Sequence, residues 1–169
     1  SQEQINAQLS SDLADGDYKL RIQRQGLPDV TGEFKVARNA PGIYGSQMPD
    51  GRQILLALRE DGSQVTPQRP ARRGELIRIY ANGLGPYTRR AIDGFQVTDA
   101  QQYVVADKVE VLVADAVVEP VFAGAAEGLV GTQTILFRLP ASIPTGAVAP
   151  IIVRVNGKFS NPGILPLQP

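Results

Sequence analysis

The sequence has no cysteine and no histidine. Without cysteine there is no disulfide framework and no thiolate metal site. Without histidine, the commonest general base and the commonest metal ligand are both missing. Lys+Arg and Asp+Glu each number 17, so no net field draws the chain toward nucleic acid or an anionic membrane. No apolar run approaches the roughly 18 residues of a membrane helix. No signal-peptide pattern is visible, and in a chain that begins inside a module that absence decides nothing. Nucleic acid and membrane insertion are therefore set aside, and no cofactor is expected.

What is present points to strands. Apolar residues make up 43% of the chain, enough for a core. The 17 glycines and 13 prolines are dispersed, which suits many short strands and turns rather than a low-complexity tail. Residues 134–156 read as strand, corner, strand. Ile135, Phe137 and Leu139 alternate with Thr134, Leu136 and Arg138. Pro140 ends that run, Pro144-Thr145-Gly146 turns the chain, and Ile151, Val153 and Val155 build the next strand up to an Asn156-Gly157 turn.

The same pattern occurs at the other end. Ile5, Ala7, Leu9, Leu13 and Gly16 match Ile135, Phe137, Leu139, Ile143 and Gly146 at an offset of 130. After one inserted residue, Ile22, Gly26, Gly32, Phe34 and Val36 match Val153, Gly157, Gly163, Leu165 and Leu167 at 131. The chain thus holds one module and the back half of another. Ile5, Leu9 and Leu13 alone have helical spacing, but the matching segment contains Pro140 and Pro144, which a helix interior rejects. Residues 4–9 are therefore expected as a strand, 17–23 as a second and 32–36 as a third. Arg38-Asn39-Ala40-Pro41-Gly42 is a short joint between modules.

In the second module, strands are expected at 53–59 (QILLALR), 75–81 (ELIRIYA), 108–113, 117–122, 134–139, 151–155 and 164–167. Residues 67–74 read as a basic loop, 87–101 as a polar loop anchored by Phe95, and 124–131 as another loop. The fold class is all-β, an immunoglobulin-like sandwich. Residues 1–38 form the C-terminal half of one such module, and residues 39–169 form a complete one.

Several runs together resemble a known family. They are Ala40-Pro41-Gly42-Ile43-Tyr44, Asp61-Gly62-Ser63, Pro70-Ala71-Arg72-Arg73-Gly74, Ile79-Tyr80-Ala81-Asn82-Gly83-Leu84-Gly85, Phe122-Ala123-Gly124, Gly128-Leu129-Val130-Gly131 and Leu139-Pro140. The set resembles the Solibacter-type uncharacterised C-terminal domain, a module of secreted and surface proteins of acidobacteria, distantly similar to IPT/TIG-like immunoglobulin domains. Gln4-Ile5-Asn6 is similar to the preceding module of that family. Ala114-Asp115 departs from its usual Gly-Gly turn, and Thr134-Ile135-Leu136 from its Gln-Ile-Asn. The resemblance implies an extracellular or cell-surface, non-catalytic module, and it carries no catalytic residue.

The search for chemistry agrees. No serine lies in a nucleophile elbow. Gly83-Leu84-Gly85-Pro86 begins like a dinucleotide fingerprint, but a proline follows and no third glycine does. Asp12, Asp15 and Asp17 have the oxygen chemistry of a calcium site without the terminal glutamate of a calcium loop. Asp93 and Asp99 are a weaker pair. Arg69, Arg72, Arg73, Arg89 and Arg90 flank the 75–81 strand and are expected to gather at one end of the sandwich. With Tyr87 they form the candidate glycan or polyanion surface of a carbohydrate-binding alternative.

The half module is the sharper inference. Its inward set includes Ile5, Leu9, Tyr18, Leu20, Ile22 and Phe34, the candidate interaction surface. Baring that set forfeits on the order of 10 kcal/mol, comparable to a domain's whole stability. Three covers are open: the front half of its own module, strands from another chain, or the second module itself. The expected role is a structural or adhesive one, with own copies or neighbouring modules as protein partners and a homo-oligomer among the outcomes.

Overall fold

The computed structural model describes residues 5–143 and 146–168. The regular structure of the described residues is strand, apart from one 3-10 turn at Ala100–Gln102. In order the strands are β1 (Gly16–Arg24), β2 (Leu27–Val36), β3 (Gly42–Ile43), β4 (Gly45–Gln47), β5 (Gln53–Leu55), β6 (Ala57–Leu58) and β7 (Leu76–Asn82). There follow β8 (Val109–Val113), β9 (Ala116–Val118), β10 (Phe122–Ala125), β11 (Gln133–Arg138), β12 (Val148–Val155), β13 (Lys158–Phe159) and β14 (Gly163–Pro166).

From residue 42 onward the strands form two sheets. One has the order β10-β11-β7-β3, with β6 also on β7; the other runs β4-β5-β14-β12-β8-β9, with β13 on β12. Alternation along each strand builds the core between them. Ile77, Ile79 and Ala81 of β7 and Ile135 and Phe137 of β11 face Leu55, Val111, Ile151, Val153 and Leu165 in one buried cluster. The expected sandwich is thus present.

Two expected strands are each divided. Residues 53–59 break at Leu56: β5 lies in the second sheet, while β6 pairs with β7 in the first. The Leu56 N–H donates instead to the Tyr44 carbonyl. One segment thereby covers both sheets, which explains an apolar run without alternation. Residues 117–122 likewise break at Pro120, between β9 on one sheet and β10 on the other. The expected loop at 124–131 starts later than foreseen, because Gly124 and Ala125 finish β10. Phe95 is no anchor: the residue is 69% exposed.

The amino-terminal part differs most. β1 and β2 form a two-stranded hairpin, but residues 5–10 are not a strand. Gln4 of the expected strand lies outside the described residues, as do Pro144 and Thr145 of the expected turn. The reason is pairing. The matching segment becomes β11 because β7 and β10 flank it; among the described residues no strand pairs with residues 5–10.

The repeat itself is visible in the register. Leu20 pairs with Gly32 and Tyr18 with Phe34. At an offset of 131, Ile151 pairs with Gly163 and Ala149 with Leu165. At the turn, Arg24 pairs with Leu27 and Val155 with Lys158. Gly26 and Gly157 hold nearly the same left-handed φ, 74° and 75°.

Candidate functional site: the amino-terminal hairpin and its joint

The hairpin has two unlike faces. Register places Tyr18 against Phe34, Leu20 against Gly32 and Ile22 against Val30 on one face. Tyr18 and Phe34 stack with ring centroids 5.8 Å apart. The other face sets Asp17 against Lys35 and Lys19 against Glu33, opposite charges in direct register. Arg21 on that face pairs with Asp29.

The apolar face is uncovered. Leu20 is 47% exposed and Val30 51%, while Tyr18, Ile22 and Phe34 are half-buried. The equivalent Ile151, Ala149 and Leu165 in the two-sheet sandwich are buried. Of the six residues expected on the interaction surface, Tyr18, Leu20, Ile22 and Phe34 share this face. Ile5 and Leu9 are exposed, but they lie before the hairpin in a segment that is not a strand.

That segment rests on the second module. The Gly94 N–H donates to Gln8 Oε1 at 2.8 Å, and the Ser11 N–H donates to Asp93 Oδ2 at 2.9 Å. Ser10 and Ser11 hydroxyls reach the same carboxylate, and Arg90 pairs with Asp12. The Ser11 N–H holds the Asp93 carboxyl below the usual carboxylate range. The contacts are polar and exposed; they tether residues 8–12 without covering the hairpin face.

A tighter joint follows the hairpin. Arg38 donates to both Asp107 oxygens, Nε to Oδ2 and Nη2 to Oδ1, each at 2.9 Å. Buried Asn39 donates to the Leu84 carbonyl and to Asp107 Oδ2, and accepts from Asn156 Nδ2 at 3.0 Å. Ala40 N–H bonds the Gly83 carbonyl. The Arg38 guanidinium holds the Asp107 carboxyl below its usual range, aided by Asn39 and Asn156. Sequence reading gave Gly83-Leu84-Gly85 no role beyond a turn. These glycines form the socket of the joint: at φ +66° and +107°, a Cβ on Gly83 would overlap the Ala40 carbonyl, and one on Gly85 would crowd Asn39 and Asp107.

The arginines do not gather. Arg69, Arg72 and Arg73 precede β7, whereas Arg89 and Arg90 follow it, so the length of a seven-residue strand, roughly 20 Å, separates the groups. Arg73 donates to the Ile143 and Gln168 carbonyls. Arg59, Arg69, Arg72, Glu75 and Gln168 line a hollow of about 430 Å³. At its base Arg59 Nε meets Glu75 Oε1 at 2.8 Å and Nη2 reaches the Arg69 and Pro70 carbonyls, so this pair fastens the basic loop. Arg89 lies over the Tyr103 ring, 5.7 Å from its centroid. Tyr87 packs against the core and meets Tyr103 edge-on at 6.1 Å. Burial pushes its phenol up, opposed by a hydrogen bond with Gln133. Tyr87 is thus a packing residue, and Tyr103, absent from the expectation, carries the cation contact. Among the described residues no three acidic side chains are grouped to hold a metal, so Asp12, Asp15 and Asp17 do not converge.

No family model, curated protein or solved structure matches this chain. No described helix is long and apolar enough to cross a membrane.

Proposed function

We propose that this chain is a non-catalytic, immunoglobulin-like structural or adhesive module that joins neighbouring modules or copies through its amino-terminal hairpin. One observation carries the reading: the same strand pairing occurs twice, buried at Ile151 and Gly163 and bare at Leu20 and Gly32. A bare apolar hairpin face with two open edges is a surface for strand addition. The Arg38–Asp107 joint favours a set angle between the hairpin and the second module over a loose tether. The family resemblance of residues 40–167 adds an extracellular setting.

Light scattering across a concentration series tests this. Without its neighbour, the bare face pairs with itself: the chain associates as concentration rises, and Leu20→Asp abolishes association. A wild-type chain that stays monomeric at high concentration overturns the reading.

A further inference from the structure

The repeat specifies what the missing cover looks like. In the complete module β14 carries β5 on its outer edge in parallel, with Ile164 opposite Ile54. On the far side β12 carries β8 in antiparallel, with Ile151 opposite Val113. Shifted by 131, these edges are Glu33 of β2 and residues 20–24 of β1, and among the described residues no strand lies on either.

The glycines mark the inward contact. Gly163 lacks a side chain because Leu55 occupies the space: a Cβ there would overlap Leu55 Cγ and Cδ2 and come within 3.4 Å of Ile43 Cδ1. At Gly32, a Cβ would meet nothing within 4 Å. Gly32 keeps the residue that makes room, and its space is vacant. Outward, the edge has changed sign of chemistry: Glu33 stands where Ile164 stands, and it makes no ion pair among the described residues. An added strand therefore gains from a cation at the position of Ile54.

Resting on the reading of the hairpin as a joining surface, we propose that Gly32 seats a branched aliphatic side chain. That side chain sits on a strand added in parallel to the Leu27–Val36 edge, and the strand bears a cation beside Glu33. The closed module of a second copy does not offer it, since β5 is already held between β4 and β14. The occupant is an unpaired strand of a neighbouring sandwich with the inward pattern of β5.

The probe is a synthetic peptide of residues 52–59 carrying Ile54→Lys, titrated into the ¹⁵N-labelled full chain. Saturable shifts are expected at the amides of residues 31–35. Gly32→Val in the chain fills the seat and weakens binding about tenfold. This variant is compatible with a strand and open space, and a thermal melt verifies its fold. Glu33→Lys should reverse the preference from the Ile54→Lys peptide to an Ile54→Glu peptide. Absent shifts, shifts on β14 instead, or unchanged binding to Gly32→Val would overturn the seat. Light scattering separates the two ideas. If wild type associates through Leu20 but the peptide does not bind, the joining surface stands and the seat falls. If neither occurs, both fall.

Discussion

Leu20 faces Gly32 across the amino-terminal hairpin at the register in which Ile151 faces Gly163 in the complete module. Leu20 is 47% exposed, whereas Ile151 is fully buried. Identical local pairing therefore has opposite solvation, and the difference lies only in what is stacked on it.

One expectation follows directly. Ile151→Asp places an unpaired carboxylate inside a closed core and should cost more than about 4 kcal/mol, enough to unfold a marginal domain. Leu20→Asp at the equivalent position should shift the same melt by no more than about 0.5 kcal/mol. Parallel thermal unfolding of the two variants checks this. Equal destabilisation would mean that the hairpin face is covered.

The joint should be sensitive to acid. Asp107 has its carboxyl held down in the folded state, chiefly by Arg38. A depressed carboxylate contributes stability above its unfolded value near 4 and loses it as pH falls through the folded value. Wild type should therefore lose the ordered Asn39 side-chain amide signals as pH drops below about 4. Asp107→Asn should lack that transition and show a loosened joint already at neutral pH. NMR of the Asn39 amide across a pH series reads both.

Gly83 tests the socket. Its φ of +66° and the nearness of the Ala40 carbonyl leave no place for a Cβ. Gly83→Ala should destabilise by about 1–3 kcal/mol and raise exchange at the Ala40 amide. Gly62, with open space around it, provides the contrast. Gly62→Ala has only the backbone cost, so it should be milder in the same denaturant titration. Equal effects would reduce the socket to an ordinary turn.

Much of the sandwich was legible in the chain. Alternation in residues 108–113 and 134–139 marked strands found at Val109–Val113 and Gln133–Arg138, because period two is a local property of a pleated backbone. The repeat at 130 and 131 set residues 5–36 beside residues 135–167, and the glycine match at 32 and 163 was already in it. The significance of that match was not, because a vacancy shows only when the occupant of its twin is seen. The break at Leu56 escaped detection, since a corner between sheets retains the composition of a strand; Pro120 signalled an edge or a bulge, but not that the chain changes sheet there. The arginine cluster was misplaced for a simpler reason: closeness in sequence on either side of a strand means opposite ends in space.

The sequence by itself determined the fold class, the presence of strands in residues 17–23 and 32–36, and the lack of histidine and cysteine chemistry. These follow from residue type, local periodicity and turn glycines. Tertiary structure alone decided which of two equivalent faces is buried, and that residues 5–10 are not a strand while residues 133–138 form one. A β-strand is not a local object. It needs neighbouring strands for its backbone groups: β7 and β10 flank residues 133–138, and among the described residues no strand pairs with residues 5–10.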